Sequence, residues 1–169
     1  PASMAELLPY AERFPKLHLH ALAVSLADGK HRFHITRNPE CATLLEPLAE
    51  IARQNPLIPS GSLDVVETIE VETITLQSFL QRERIERVEL LKIDTEGHDL
   101  DVVRSACDDI RRIKRIKMEV QSGPEYYVGG TREEQAFAYL SARGFTLVER
   151  WDHPHGWAHD LTFRNNALR

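Results

Sequence analysis

A chain of 169 residues can bury one sizeable core but is too short for two ordinary domains. Hydrophobic content of 42% and charged content of 28% are globular values and exclude wholesale disorder. The formal net charge of −5 argues against a surface that binds nucleic acid by neutralising phosphates, and no apolar run reaches the length of a membrane span.

Ser3, with Glu6 three residues on, has the form of a capping box. Leu7, Leu8, Tyr10, Ala11 and Phe14 then recur at helical spacing, which predicts a helix over Ala5 to Phe14. Lys16 to Ser25 alternates as a strand. Ala27-Asp28-Gly29-Lys30 reads as a tight turn, and His31 to Thr36 as the returning strand of a hairpin. From Arg37 to Ser62 the prolines and Gly61 mark a long connection with one helical piece, Leu44 to Arg53; it reads as a lid or as a surface excursion.

Val65 to Thr75 is the next strand and Leu76 to Gln81 a short helix. Val88 to Ile93 is β-rich, and Leu100, Val103, Ala106, Ile110 and Ile113 return to helical spacing. Arg115 to Val120 is a further strand. Thr131 with Glu134 predicts a helix that stops at Gly144. Phe145 to Trp151 and His159 to Arg164 close the chain as an antiparallel pair at one sheet edge. The basic run Arg111, Arg112, Lys114, Arg115 and Lys117 reads as a solvated helix end. Alternation of strand and helix from Val88 onward predicts an α/β domain with a parallel sheet.

In open α/β sheets ligands bind beyond the carboxyl ends of the strands. Asp94 falls at such an end, Glu96 and Gly97 follow in the turn, and His98 and Asp99 open the next helix. Three carboxylates and an imidazole within six residues exceed what a helix cap requires. Glu119, in what should be the neighbouring strand, is costly there unless functional or paired with Lys92 or Lys117. The segment Trp151 to Asp160 holds His153, His155 and His159 with Asp152 and Asp160, but at no metal-binding spacing, so it reads as a polar surface turn. Tyr126-Tyr127 beside Gly129-Gly130 reads as a mobile aromatic flap or a flexible loop. Cys41 and Cys107 lack CxxC spacing, so neither a disulfide framework nor a zinc site is expected, and a cytoplasmic setting is. No phosphate-cradling glycine loop and no GxSxG elbow occurs.

The segments Thr73-Ile74-Thr75-Leu76-Gln77-Ser78-Phe79-Leu80, Leu90 to Val103 (LLKIDTEGHDLDVV) and Met118-Glu119-Val120 resemble the FkbM family of S-adenosylmethionine-dependent methyltransferases. Ala23-Val24-Ser25 through Gly29 and Cys41 to Leu45 are similar to two weaker family segments, and His159 to Phe163 is similar to the entry of its last strand. The resemblance implies a Rossmann-like class I methyltransferase domain spanning the chain. That is a three-layer α/β sandwich with a mostly parallel sheet and an antiparallel terminal strand. It implies O-methylation of a hydroxyl on a sugar or natural-product-type small molecule, with no nucleic-acid or membrane partner. Asp94, Glu96 and His98 would serve catalysis. Ala2, Ser3, Ala23, Ser25, Asp94 and Gly97 would contact the cofactor, and Glu119 the acceptor.

Family members open with a strand and a glycine-rich DVGANxG loop, then a strand ending FEP. Here the match begins at Pro1, without an initiator methionine. The resemblance therefore implies a partial domain whose first strands and cofactor loop lie upstream, and which on its own binds S-adenosylmethionine weakly or not at all. Two other readings of the same residues stay open: a non-catalytic Rossmann-like binding domain, and a metal-assisted hydrolase using Asp94, Glu96, His98 and Glu119.

Overall fold

The computed structural model describes residues 2–154 and 156–168, and the side chains of Ala2 and Ser3 lie outside the described residues, as does His155. Helix α1 (Ala2–Arg13) forms close to where helical spacing predicts it. Its residues Leu7, Leu8 and Tyr10 are exposed, however, so that spacing marks a helix and not a core face. The Ser3 half of the expected capping box falls on an undescribed side chain.

The expected hairpin is replaced by a different pairing. Only Ala23–Val24 forms strand β1, and it runs parallel to β3 (Val65–Ile74). Strand β2 (Gly29–Thr36) is antiparallel to that same β3, which gives a three-stranded sheet in the order β1-β3-β2. The cause is at the turn: the Asp28 carboxylate accepts a hydrogen bond from the Thr75 amide at 2.6 Å. That ties the turn to the end of β3, so β3 lies between the two segments that alternation alone would pair. The helical piece in the long connection contracts to α2 (Ala49–Ala52). Ahead of it, Thr43 Oγ1 accepts from the Leu45 amide at a bend and Pro47 bridges Tyr127, which holds the chain out of a helix up to Leu48.

The second sheet carries the main core. Strands β4 (Leu91–Lys92), β5 (Arg115–Gln121), β6 (Phe145–Asp152) and β7 (Ala158–Asn165) lie in the order β4-β5-β7-β6. The expected strand Val88 to Ile93 is thus reduced to two residues and one bridge from Val88 to Ile113. β4 and β5 are parallel, whereas β7 is antiparallel to both neighbours. The domain is α/β as expected, but among the described residues parallel strand pairing is confined to β1–β3 and β4–β5, within two sheets, beside isolated parallel bridges at Val88–Ile113 and Gln121–Arg132. The last two strands do form the edge pair, with β7 inward and β6 outermost.

Helix α3 (Leu76–Arg82) is capped by Thr75, whose Oγ1 accepts from the Ser78 amide at 3.1 Å. Helix α4 (Asp99–Arg104) runs on through a 3-10 turn at Cys107–Arg112, and α5 (Glu133–Ser141) precedes the edge pair. Thr131 does not cap α5. Its hydroxyl instead donates to the Gly97 carbonyl and accepts from the Leu100 amide, each at 2.9 Å, so it fastens the Asp94 loop to the approach of α5.

Alternation along β5 sets the two faces. Ile116, Met118 and Val120 are buried with Leu161 and Phe163 of β7, Leu100 and Val103 of α4, and Leu140 of α5. Each fully buried side chain of this size is worth about 1.5–3 kcal/mol over exposure. Lys117, Glu119 and Gln121 take the opposite positions. A smaller cluster holds Ala52, Ile58, Leu63, Tyr126 and Tyr127 together, with Leu45 and Trp157 against it. No helix among the described residues is long and apolar enough to cross a membrane.

Candidate active site around Glu96

The loop after β4 is held in an uncommon backbone shape. Glu96 has φ +53° and Gly97 φ +92°. A glutamate in the left-handed region costs on the order of 1 kcal/mol, and such strain persists only where surrounding contacts over-determine it. Those contacts are present. Thr43 Oγ1 donates to the Glu96 carbonyl at 2.9 Å, and Asp99 anchors the loop from within. Asp99 is fully buried; one carboxylate oxygen accepts from the Thr95 hydroxyl at 2.8 Å and the other from the Glu119 amide at 3.0 Å. Its carboxyl is pushed up to about 6 by burial, against the pull of those donors. Sequence reasoning placed Asp99 at the opening of the next helix, in an acidic group larger than a cap requires. The cap position is His98, without a side-chain cap, and Asp99 instead ties the Asp94 loop to β5.

Glu96 and Glu119 line one cavity of about 380 Å³, together with Cys41, Gln121, Tyr127 and Trp157. The volume is in the range of small-molecule sites. One Glu96 oxygen, Oε2, accepts from the Tyr127 hydroxyl at 2.7 Å. Burial, with smaller contributions from Asp94 and Asp99, pushes the Glu96 carboxyl up to about 7 despite that bond. Burial and then Glu96 itself push Glu119 up to about 8. Neither lysine neutralises Glu119: Lys117 pairs with Asp160 at 2.8 Å and Lys92 with Asp94.

The other expected site residues go elsewhere. Asp94 is exposed and paired with Lys92, although its charge reaches Glu96 and Glu119. His98 is buried with Nε2 at 3.2 Å from Ser25 Oγ and Nδ1 at 3.6 Å from Asp101, and it does not line the cavity. Burial lowers its pKa. The structure places the His98 ring against Ser25 and Asp101, apart from the cavity that Glu96 and Glu119 line. Ser25 is occupied by the same contact. Gly97 is covered, since a Cβ there would lie 3.0 Å from Gln121 Nε2 and 3.1 Å from Tyr127 Cδ2. Ala23 lies in β1, and the side chains of Ala2 and Ser3 are outside the described residues.

The aromatic pair is a wall and not a flap. Tyr126 and Tyr127 are buried, the Asn55 amide donates to the Tyr126 hydroxyl at 2.8 Å, and the Leu48 amide to the Tyr126 carbonyl at 2.8 Å. The long connection is packed against them, so it closes one side of the cavity. Sequence reasoning missed Tyr127 as a functional residue. Its only signal was a tyrosine close to the glycine pair.

The edge-strand segment also differs from a surface turn. His159 and Asp160 are buried, and His159 Nε2 lies 2.9 Å from Glu133. His153 and Asp160 meet Glu119. A metal centre built from Asp94, Glu96, His98 and Glu119 is not assembled, because His98 is engaged by Ser25 and Asp101 and does not line the cavity.

A carboxylate-lined cavity suits a positively charged ligand group and can take a proton from a bound hydroxyl. Against models of known families, residues 2–147 match the methyltransferase FkbM domain. No curated protein and no solved structure gives a significant match to the chain.

Proposed function

The chain belongs to the FkbM methyltransferase family, and from that premise we propose that it is the acceptor side of an S-adenosylmethionine-dependent O-methyltransferase acting on a hydroxyl of a sugar or natural-product-type small molecule. The observation that carries this reading is the half-buried Glu96, bonded by Tyr127 through one oxygen and lining the same cavity as Glu119. The strand order β4-β5-β7-β6, with β7 antiparallel, supports a Rossmann-like class I arrangement.

When bound, S-adenosylmethionine supplies a methyl group made electrophilic by a sulfonium. The donor set fits that group at its charged end, since the Asp94 carboxylate faces it with Glu96 and Glu119, whose raised carboxyls a bound cation would help to ionise. The fit to its adenosine is not made by the described residues: Ser25 and Gly97 are occupied or covered, and β4 has a strand partner on one side only. The chain's own residues do the following. The cavity wall of Tyr127, Trp157 and Ile58 orients an acceptor and excludes water. Glu96 Oε1, opposite the oxygen engaged by Tyr127, accepts the acceptor's hydroxyl proton. A base poised near 7 does this well at neutral pH.

Two measurements test the reading. Transfer of radiolabelled methyl groups from S-adenosylmethionine to a panel of glycosides and polyketide-type alcohols should occur with the full-length protein and fall sharply in its Glu96→Gln variant; equal transfer by both would remove Glu96 from the role. Isothermal titration of this chain alone should show S-adenosylmethionine binding weaker than millimolar, and micromolar binding would refute the proposed dependence on further residues for the adenosine.

A further inference from the structure

Strands β5 and β7 bring two carboxylates directly opposite each other. In their register Glu119 faces Asp160. Like charges in directly opposed positions destabilise a sheet, and this pair lies in its interior, largely out of water. The group that lies between them comes from a third element, the turn after β6. His153 Nε2 is 3.7 Å from Glu119 Oε2 and 3.4 Å from Asp160 Oδ1. A single N–H at Nε2 can serve only one of these oxygens fully. The second Asp160 oxygen is committed to Lys117 Nζ at 2.8 Å, which fixes the carboxylate and leaves Oδ1 turned to His153. Trp151 packs its ring on His153 with centroids 4.2 Å apart and so orients the imidazole.

We infer that Glu119, His153 and Asp160 form a binding site for a first-row divalent cation. One atom from each lies within 4.8 Å of the others. Ligands about 2.0–2.2 Å from a shared ion stand roughly 3–4 Å apart, so small side-chain rotations close the set. One imidazole and two carboxylates are a donor set for manganese, iron, cobalt or zinc, and less for magnesium or calcium, which take oxygen ligands. Three protein ligands leave coordination positions open. The three come from β5, the β6–β7 turn and β7, which the sheet already holds in place, so ordering them for the ion costs little.

Glu119 also lines the cavity that holds Glu96. A cation at this site therefore stands at the cavity wall, where an open position can take an oxygen of the acceptor and make its hydroxyl more acidic. That consequence rests on the methyltransferase reading; the site itself does not.

The test uses this chain, without S-adenosylmethionine, and Mn²⁺ as the probe. Free Mn²⁺ is followed by electron paramagnetic resonance, and binding heat by calorimetry. The expected result is one saturable site, weakened on the order of 10–100-fold in His153→Ala and in Asp160→Asn, and unchanged in Glu70→Gln, whose carboxylate is exposed on β3 and paired with Lys30. Selective broadening of the His153 ring resonances in the unsubstituted chain gives the same reading without relying on a variant's fold. Absence of saturable binding up to millimolar Mn²⁺ would overturn the site, as would affinity that survives both substitutions or is lost in Glu70→Gln. Saturable binding at these residues in a protein that transfers no methyl group would keep the site and remove only the methyltransferase reading.

Discussion

The hydroxyl of Tyr127 donates to Glu96 Oε2 at 2.7 Å, joining the wall after β5 to the strained loop after β4. Burial raises the Glu96 carboxyl and this donor pulls it down, so Tyr127 trims the proton affinity of the base. In Tyr127→Phe the ionised form loses that support and its pKa rises. A base must be ionised to work, so the acid limb of the pH–rate profile should move up by about half to one pH unit. Activity at pH 7 falls, and much of it returns near pH 9. A uniform loss at every pH would show that Tyr127 only shapes the cavity.

The two candidates for the proton, Glu96 and His98, are separated by where the structure sends them. Glu96→Gln keeps the shape and an acceptor for Tyr127 but cannot take a proton, so kcat should fall by about 10²–10⁴-fold with no loss of melting temperature. His98→Ala should do the reverse. It empties a buried position and strips Ser25 of its partner, costing about 1–3 kcal/mol of stability while changing kcat far less. Thermal melts beside single-turnover rates distinguish the two. A large kcat loss in a well-folded His98→Ala protein would return the imidazole to the reacting centre.

These assignments show how far the sequence alone could reach. The acidic loop and Glu119 were readable because both sit at strand ends, where an α/β domain gathers its ligands. β5, β6, β7 and α3 were readable from local spacing and capping. What was not readable depends on contacts distant in sequence. β1 pairs with β3, about fifty residues away, because Asp28 anchors at Thr75. Thr131 looks like a cap and is spent on Gly97 and Leu100. His153 and Asp160 looked like a surface turn because the third member of their cluster, Glu119, lies on another strand. His98 and Glu96 are two residues apart, yet across the left-handed turn at Glu96 and Gly97 one meets Ser25 and the other Tyr127.

Gly97 is fixed by both dihedral and space. At φ +92° a side chain is strained, and an added Cβ would meet Gln121, Tyr127 and Leu45 at 3.0, 3.1 and 3.3 Å. Gly97→Ala should cost about 1–3 kcal/mol. Because Tyr127 is one of the neighbours that must give, the variant should also show the raised acid limb expected of Tyr127→Phe. Denaturant unfolding and a pH–rate profile on the same preparation check both. A stable variant with an unshifted profile would mean that the loop relaxes away from Tyr127.

Glu96 also sets a pH dependence of stability, and its sign is fixed. The carboxyl ionises near 4.5 when unperturbed and near 7 in the folded protein. Between those values the folded state keeps a proton that the unfolded chain has released, so stability falls as pH rises from about 5 to 8. Asp99 and Glu119, also raised, act in the same direction and remain in Glu96→Gln. The difference between the two proteins therefore isolates Glu96. At one pKa unit per about 1.4 kcal/mol, Glu96→Gln should match the unsubstituted chain near pH 5 and exceed it by about 1–3 kcal/mol at pH 8. Urea titrations at the two pH values, with chelator present to keep cations off Glu119, measure this directly. Equal stability of the two proteins at pH 8 would mean that the Glu96 carboxylate is not held against its ionised form, and the base would then need another source.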